Sequence, residues 1–310
     1  MKGILLVNLG TPAAPTPQAL RCYLAEFLSD PRVVELPRAL WLPVLYGIVL
    51  RVRPARSAEK YAKIWTPEGS PLAVHTRRQA ELLAARLPGV RVAWAMRYGE
   101  PSIAAGLAQL AGCDERLVLP LYPQYSRSTT ESVRDRLPPG TPMVEQFCEH
   151  PAYIAALAAG LRRHWARCGR AERLVLSFHG LPQRAVDRGD PYRGQCEATA
   201  RRLCAALGLG AHEVQVTFQS RFGPAKWLQP YTEPTLVALA RAGVRTVDVA
   251  CPGFVSDCLE TLEEIGIGAR EAFVAAGGAE LRLVPCLNED PEWIEALAAI
   301  ALEPGAGAPR

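Results

Sequence analysis

His179 closes an apolar run, Leu174 to Phe178, and is followed at once by Gly180. A histidine at the end of a buried strand stands at a sheet edge, where its imidazole can take a proton near neutral pH or ligate a metal. A histidine that only hydrogen-bonds a neighbouring loop is the competing reading. His75, His150, His164 and His212 fall in helical or flanking stretches and read as ordinary surface residues, and none stands in H-E-x-x-H. A second group lies in the stretch Ser256 to Glu264, which reads as the start of a helix. At about 100° per residue, Asp257, Glu260 and Glu264 fall within about 60° of one another, a file of carboxylates able to bind a cation and pass protons. Acidic residues are also favoured in any first helical turn, so a solvated face is the alternative. The helix follows a strand through the turn Cys251–Pro252–Gly253–Phe254, and its start therefore faces the same sheet edge as His179. One histidine and a few carboxylates are fewer ligands than a resident metal ordinarily has. They suit a metal that is delivered rather than kept.

A third feature is the apolar run Ala39 to Leu50, with Trp41 and Tyr46, followed by Arg51, Arg53 and Arg56. A hydrophobic lip beside arginines fits a large flat ligand with carboxylate tails, or a docking surface on an anionic membrane. A buried helix with a basic end fits equally. The run has 12 residues and contains Pro43 and Gly47, whereas a membrane span needs about 20.

The elements that must position these groups are short Val/Leu/Ile-rich runs alternating with longer helical patterns, the signature of buried parallel strands joined by helical crossovers. Strands are expected at 3–8, 91–96, 116–121 and 143–147, then at 173–178, 213–218, 245–250 and 281–285. Two four-stranded α/β domains follow, residues 1–150 and 151–310, with the Ala/Leu-rich segment Pro151 to Cys168 as a linking helix. Ligands of open parallel sheets bind beyond the carboxyl ends of the strands, and the residues there are polar: Asn8–Thr11, Arg97–Gly99, Tyr122–Ser126, His179–Pro182 and Gln219–Gly223. A cleft between the two domains is the expected site. Gly208 and Gly266, each paired with a glycine two residues on, read as helix C-caps, and the last eight residues as a disordered tail.

The chain has 310 residues, 49% hydrophobic and 21% charged, which is globular rather than disordered. Its net charge of +4 is too small and too dispersed for a nucleic-acid binder. Nine cysteines with no C-x-x-C pair argue against a disulfide framework and for a reducing, cytoplasmic setting, and no signal peptide fits the N-terminus. No G-x-G-x-x-G follows an expected strand, and neither a P-loop nor G-x-S-x-G occurs. Dinucleotide, nucleotide and serine-hydrolase chemistry lose support.

Seven ordered segments together resemble the ferrochelatases: Leu6–Pro12, Phe27–Asp30, Ile64–Leu72, Tyr122–Ser126, Ser177–Pro182 with Gly189–Tyr192, Phe218–Gly223, and Asp257–Leu262. The resemblance spans most of the chain. It implies two Rossmann-like halves, Fe2+ and protoporphyrin IX as substrates, protohaem as product, and His179 with Glu260 as the metal-ligating and proton-accepting pair. Asp257 and Glu264 continue the acidic path. Arg53, Tyr61 and Ser70 match positions that hold porphyrin, and Arg97, Tyr122 and Trp227 complete the expected set. Some members hold an iron–sulfur cluster through a cysteine where this chain has Arg127 and through a C-terminal cysteine group, but no cysteine follows Cys286 here, so no cluster is expected. Cys258 replaces a histidine of other members, and the wording of Asp257–Leu262 resembles Gram-negative members, which favours protoporphyrin over coproporphyrin. Peripheral membrane contact through 39–53 is a further expectation. A non-catalytic tetrapyrrole carrier and a chelatase for another metal or tetrapyrrole are the alternatives.

Overall fold

In the computed structural model, residues 1–210 and 212–303 are described, and they form two compact units. The first comprises 1–122, 126–145 and the chain from Ala298; the second comprises 123–125 and 146–297. The expected tail lies outside the described residues apart from Glu303.

The first unit carries β1 (Lys2–Gly10), β2 (Val90–Tyr98) and β3 (Glu115–Pro120), all parallel, in the order β2-β1-β3. β1 is central, and Ile4 to Val7 are fully buried, as an uninterrupted apolar strand requires. The expected fourth strand at 143–147 does not form. Val118 donates to Pro142 and accepts from Val144, both at 2.9 Å, but only the bridge Val118–Met143 results. The next rung would need an N–H from Pro120, which has none, so the ladder stops there.

The second unit carries β4 (Arg173–His179), β5 (Val214–Gln219), β6 (Thr246–Ala250) and β7 (Glu280–Leu283), parallel and in the order β5-β4-β6-β7. The helix Pro151–Cys168 begins and ends where the sequence places it: Pro151 opens it, and His150 caps it by accepting from the Ala152 N–H at 3.2 Å. Leu161, Leu176, Phe178 and Leu203 pack on one face of this sheet, and Val175, Leu236, Ile265 and Phe273 on the other. Both faces are covered, hence the unbroken apolar strands.

Gly208 ends the helix Tyr192–Leu207 in the left-handed conformation, φ 68°, as expected. Gly266 and Gly268 do not cap anything. They lie inside a continuous helix that runs to Ala275, and a Cβ on Gly266 would stand 3.2 Å from Leu283 of β7. Small size, rather than chain reversal, is what that position uses. The cap falls at Gly277, φ 105°, with the Gly278 N–H returning to the Phe273 carbonyl.

Candidate functional site

The strand order of the second unit locates its site. From β4 the chain moves outward to β5, then returns past β4 to β6, so the order reverses between β4 and β6. The loops after these two strands flank such a switch point and open a crevice there. β4 ends at His179 and its loop opens at Gly180, and the loop after β6 leads through Cys251–Cys258 to Glu260. The two groups singled out on chemical grounds are those the topology sets on either side of the switch.

His179 is half-buried, and its Nδ1 donates to the Gly180 carbonyl at 2.7 Å. A carbonyl only accepts, so the proton sits on Nδ1 and the lone pair on Nε2. The ring centroid lies 6.3 Å from that of Phe254. Gly180 is required beside it: a Cβ would come within 2.5 Å of the Gln219 carbonyl and 3.1 Å of the Trp227 ring. Trp227 is thereby brought next to the histidine turn, with its indole N–H donating to Phe222 at 2.8 Å.

The acidic helix begins later than the sequence suggests and is wound differently. It starts at Leu259, and Glu260–Ala269 form a π-helix with i→i+5 bonding rather than an α-helix. Asp257 precedes it and is buried. Its carboxylate accepts from Thr261 Oγ1 (2.9 Å), Asn288 Nδ2 (2.7 Å) and the Cys286 N–H (3.3 Å), so it anchors the loop instead of joining a file with Glu260 and Glu264. The angular argument assumed 100° per residue from Ser256, and neither premise survives. Cys258 is buried too, and burial, followed by the charge of Glu260, pushes its thiol well above the ordinary value.

Glu260 and Glu264 remain half-buried on the helix. Gln219, which ends β5 level with His179, ties them down. Its Nε2 donates to the Glu260 carbonyl at 2.7 Å and reaches a Glu264 oxygen at 3.4 Å, while its Oε1 accepts from Ser177 at 2.6 Å. The Ser220 N–H and hydroxyl donate to the two oxygens of Glu264 at 2.7 and 2.5 Å. Ser220 adopts φ 62°, a left-handed conformation that costs a non-glycine residue and that these bonds hold in place. The sequence offers Gln219 and Ser220 only as polar residues after a strand; the period of β4 and β5 in register is what makes them partners of the acidic helix. Among the described residues, no three His, Cys, Asp or Glu side chains converge to hold a metal.

Burial, and less strongly the charge of Glu260, raises the carboxyl of Glu264 above its ordinary value of 4.5, against the bonds from Ser220 and the charge of His179. The folded chain then holds a proton that the unfolded chain has already released, so stability falls as pH rises from the ordinary value through the raised one. Glu264→Gln, which cannot ionise, is expected to melt higher than the parent above about pH 5 and to lose that advantage toward pH 4. Melting curves of both proteins between these limits and pH 8 check this; a difference independent of pH would show that Glu264 does not ionise at a cost.

In the first unit Arg97 is buried and paired with Asp30; its Nε donates to the Ser132 carbonyl at 2.7 Å. Tyr98 and Ser132 donate their hydroxyls to the same carboxylate at 2.9 and 3.0 Å. The Arg97 charge is therefore answered within the unit by Asp30. One nitrogen, Nη1, is buried without a partner, and Arg97 lines a recess of about 510 Å3 together with Asp30, Arg38, Tyr46 and Asp135. Ser70 is likewise buried, its hydroxyl accepting from Thr11 at 2.7 Å. Tyr61 is buried against Trp65 at 6.1 Å between ring centroids, and Arg53 is half-buried in the helix Leu50–Ile64. Tyr122, two residues past β3, has a buried hydroxyl with no hydrogen-bond partner. The apolar run 39–50 is no buried helix. Trp41, Leu45 and Leu50 face inward, whereas Leu40, Val44, Ile48 and Val52, spaced by four, are 69%, 41%, 61% and 52% exposed. No helix among the described residues is long and apolar enough to cross a membrane.

The described chain is thus two parallel α/β units, each with polar groups at the carboxyl edges of its strands. The fold resembles that of the sirohydrochlorin chelatase SirB from Bacillus subtilis subspecies spizizenii, solved in complex with cobalt, with TM-score 0.53 over 95% of this chain and 91% of that one; at 13% identity the likeness is one of fold alone. The chain belongs to the ferrochelatase family, whose model matches residues 1–304. It is 60% identical to the ferrochelatase of Azoarcus sp. strain BH72 over 95% of this chain and 85% of the relative, and 59% identical to that of Methylibium petroleiphilum over 96% and 86%. It is an enzyme, a lyase of the metal-chelating kind that inserts Fe2+ into a porphyrin.

Proposed function

We propose that the porphyrin is protoporphyrin IX, that His179 Nε2 accepts protons from its pyrrole nitrogens, and that Glu260 supplies the carboxylate that shares the incoming Fe2+ with the imidazole. The observation that carries this reading is the Nδ1–H bond to Gly180, which leaves the lone pair on the ring nitrogen that a proton or a metal would meet. Insertion exchanges two N–H protons for one Fe2+, so each turnover releases two protons, and a base at the switch point is what the step needs. Gln219 and Ser220 hold the acidic helix in place while this happens, and Glu264, tied at both oxygens, serves as the next carboxylate along.

Arg53 and Trp227 are the porphyrin contacts the reading retains, the first for a propionate and the second for the ring face; the buried Tyr122 hydroxyl is a donor awaiting an acceptor. Tyr61, Ser70 and Arg97 are buried within the first unit. The reading includes no resident iron–sulfur cluster, since Arg127 stands at the first ligand position and no cysteine follows Cys286. It places the enzyme in the cytoplasm, consistent with nine cysteines that form no disulfide, and lets the exposed apolar stripe from Leu40 to Val52, beside Arg51 and Arg56, touch a membrane surface. Anaerobic mixing with Fe2+ and either protoporphyrin IX or coproporphyrin III, followed by the change of porphyrin absorption, tests the substrate. Faster conversion of protoporphyrin is expected, and faster conversion of coproporphyrin would overturn the choice.

A further inference from the structure

Ser177 lies two residues before His179 on β4, on the same face of the strand, and is completely buried. Its hydroxyl donates to Oε1 of Gln219 at 2.6 Å. Thr232, whose Oγ1 lies 2.8 Å from the Ser177 oxygen and 2.9 Å from that of Thr217, backs it, and both threonines are buried as well. The other end of the Gln219 amide faces the acidic helix, 2.7 Å from the Glu260 carbonyl and 3.4 Å from a Glu264 oxygen. A carbonyl only accepts, so the amide must turn its NH2 to the helix and its oxygen to the serine. The opposite orientation would set Oε1 directly against the Glu260 carbonyl. A second donor, the Cys251 thiol, reaches Oε1 at 3.7 Å. Donors at one end of Gln219 thus match acceptors at the other, and Ser177 is the strong donor of the set.

We propose that Ser177 is a positioning residue for iron insertion: by fixing which way the Gln219 amide points, it sets where Glu260 stands, without itself touching porphyrin or metal. This rests on the reading that Glu260 shares the incoming Fe2+ with His179. Gln219 grips the peptide from which the Glu260 side chain springs, so the direction of one amide is passed on to the carboxylate. Without the serine hydrogen, Oε1 keeps only a thiol, which is a weak donor. The amide is then free to turn, and the acidic helix loses its tie to the end of β5. A carboxylate that must meet a metal needs its place held to within about 0.5 Å. The bonds that seat Trp227, from its indole to the Phe222 carbonyl at 2.8 Å and from the Leu228 N–H to the Leu181 carbonyl at 2.9 Å, do not involve the Gln219 side chain. Loss of the serine hydroxyl is therefore felt at the iron and not at the porphyrin.

Ser177→Ala, Gln219→Met and the double variant are compared with the parent in anaerobic Fe2+ insertion, with Glu260→Gln beside them and melting curves to establish that each is folded. Ser177→Ala is expected to lower kcat/KM for Fe2+ by about 10- to 100-fold, the range for residues that orient the ligands of a metal, while KM for porphyrin stays unchanged. Gln219→Met should lose at least as much, and the double variant no more than Gln219→Met alone, because the serine acts through the amide. Ser177→Cys, nearly isosteric and with a weak donor, should fall between the parent and Ser177→Ala, and it carries the test if the alanine variant does not fold. Parental rates in the serine variants beside a slowed Glu260→Gln would overturn this proposal alone, whereas a parental rate in Glu260→Gln would overturn the reading it rests on as well. Losses that multiply in the double variant, or a porphyrin KM that rises in step with that for Fe2+, would overturn it too, since the serine would then be acting on the fold at large.

Discussion

Replacing His179 by alanine is expected to slow iron insertion by a factor of about 10² to 10⁴, the range for loss of a positioned general base. The fall should appear in kcat, with KM for porphyrin little changed, because the proposed role of His179 is at the pyrrole nitrogens and the metal rather than at the porphyrin rim. Glu260→Gln should lose a similar factor while still binding porphyrin. Steady-state rates from porphyrin absorption, with binding followed by fluorescence quenching, separate the two effects. Were His179→Ala to retain more than a tenth of the parental rate, the base would have to lie elsewhere on the sheet edge, and Glu264, whose carboxylate is bonded to Ser220 just past β5, would be the next candidate.

The largest effect on stability is expected at Asp30. Its carboxylate is 7% exposed and holds Arg97, Tyr98, Ser132 and the Arg32 N–H, and Arg97 is itself 5% exposed. Asp30→Ala leaves a guanidinium buried without a counter-charge, a change that costs about 3–5 kcal/mol when one partner of a buried pair is removed. Combining it with Arg97→Met removes the stranded charge as well, and most of the loss should return, since a buried pair replaced by apolar groups is often close to neutral. Urea unfolding of the single and double variants measures both. A loss under about 1 kcal/mol for Asp30→Ala would mean that water reaches Arg97, in keeping with an exposed rather than a buried pair.

The fold was legible because its strands are buried on both faces and therefore read as unbroken apolar runs: β1, β2 and β3 and all four strands of the second unit are where the pattern places them, to within a few residues. The run at 143–147, Met-Val-Glu-Gln-Phe, is broken by two polar residues, and its pairing also meets the missing N–H of Pro120 on the neighbouring strand. His179 was legible for the same reason as the strands, since a polar residue closing an apolar run can only be at an edge. Asp257 was not. An acidic residue just before a helix carries the same signature whether it faces a ligand or anchors a loop, and Asn288 and Cys286, about thirty residues away along the chain, decide between them. Arg97 and Ser70 follow the same logic, their partners Asp30 and Thr11 standing 67 and 59 positions off.

The sequence by itself determined the alternation of strand and helix, the family, and the polar residues that end the strands, because each depends on composition and order over a short stretch. The tertiary structure decided which of those residues meet. Strand order puts His179 and the Glu260 helix on either side of the reversal between β4 and β6, register sets Gln219 level with His179, and the π-helical winding of Glu260–Ala269 takes Asp257 out of the acidic file. Hydrogen bonds and ion pairs act over about 3 Å, so which groups share a charge or a proton depends on how distant segments are brought side by side, and local sequence does not carry that information.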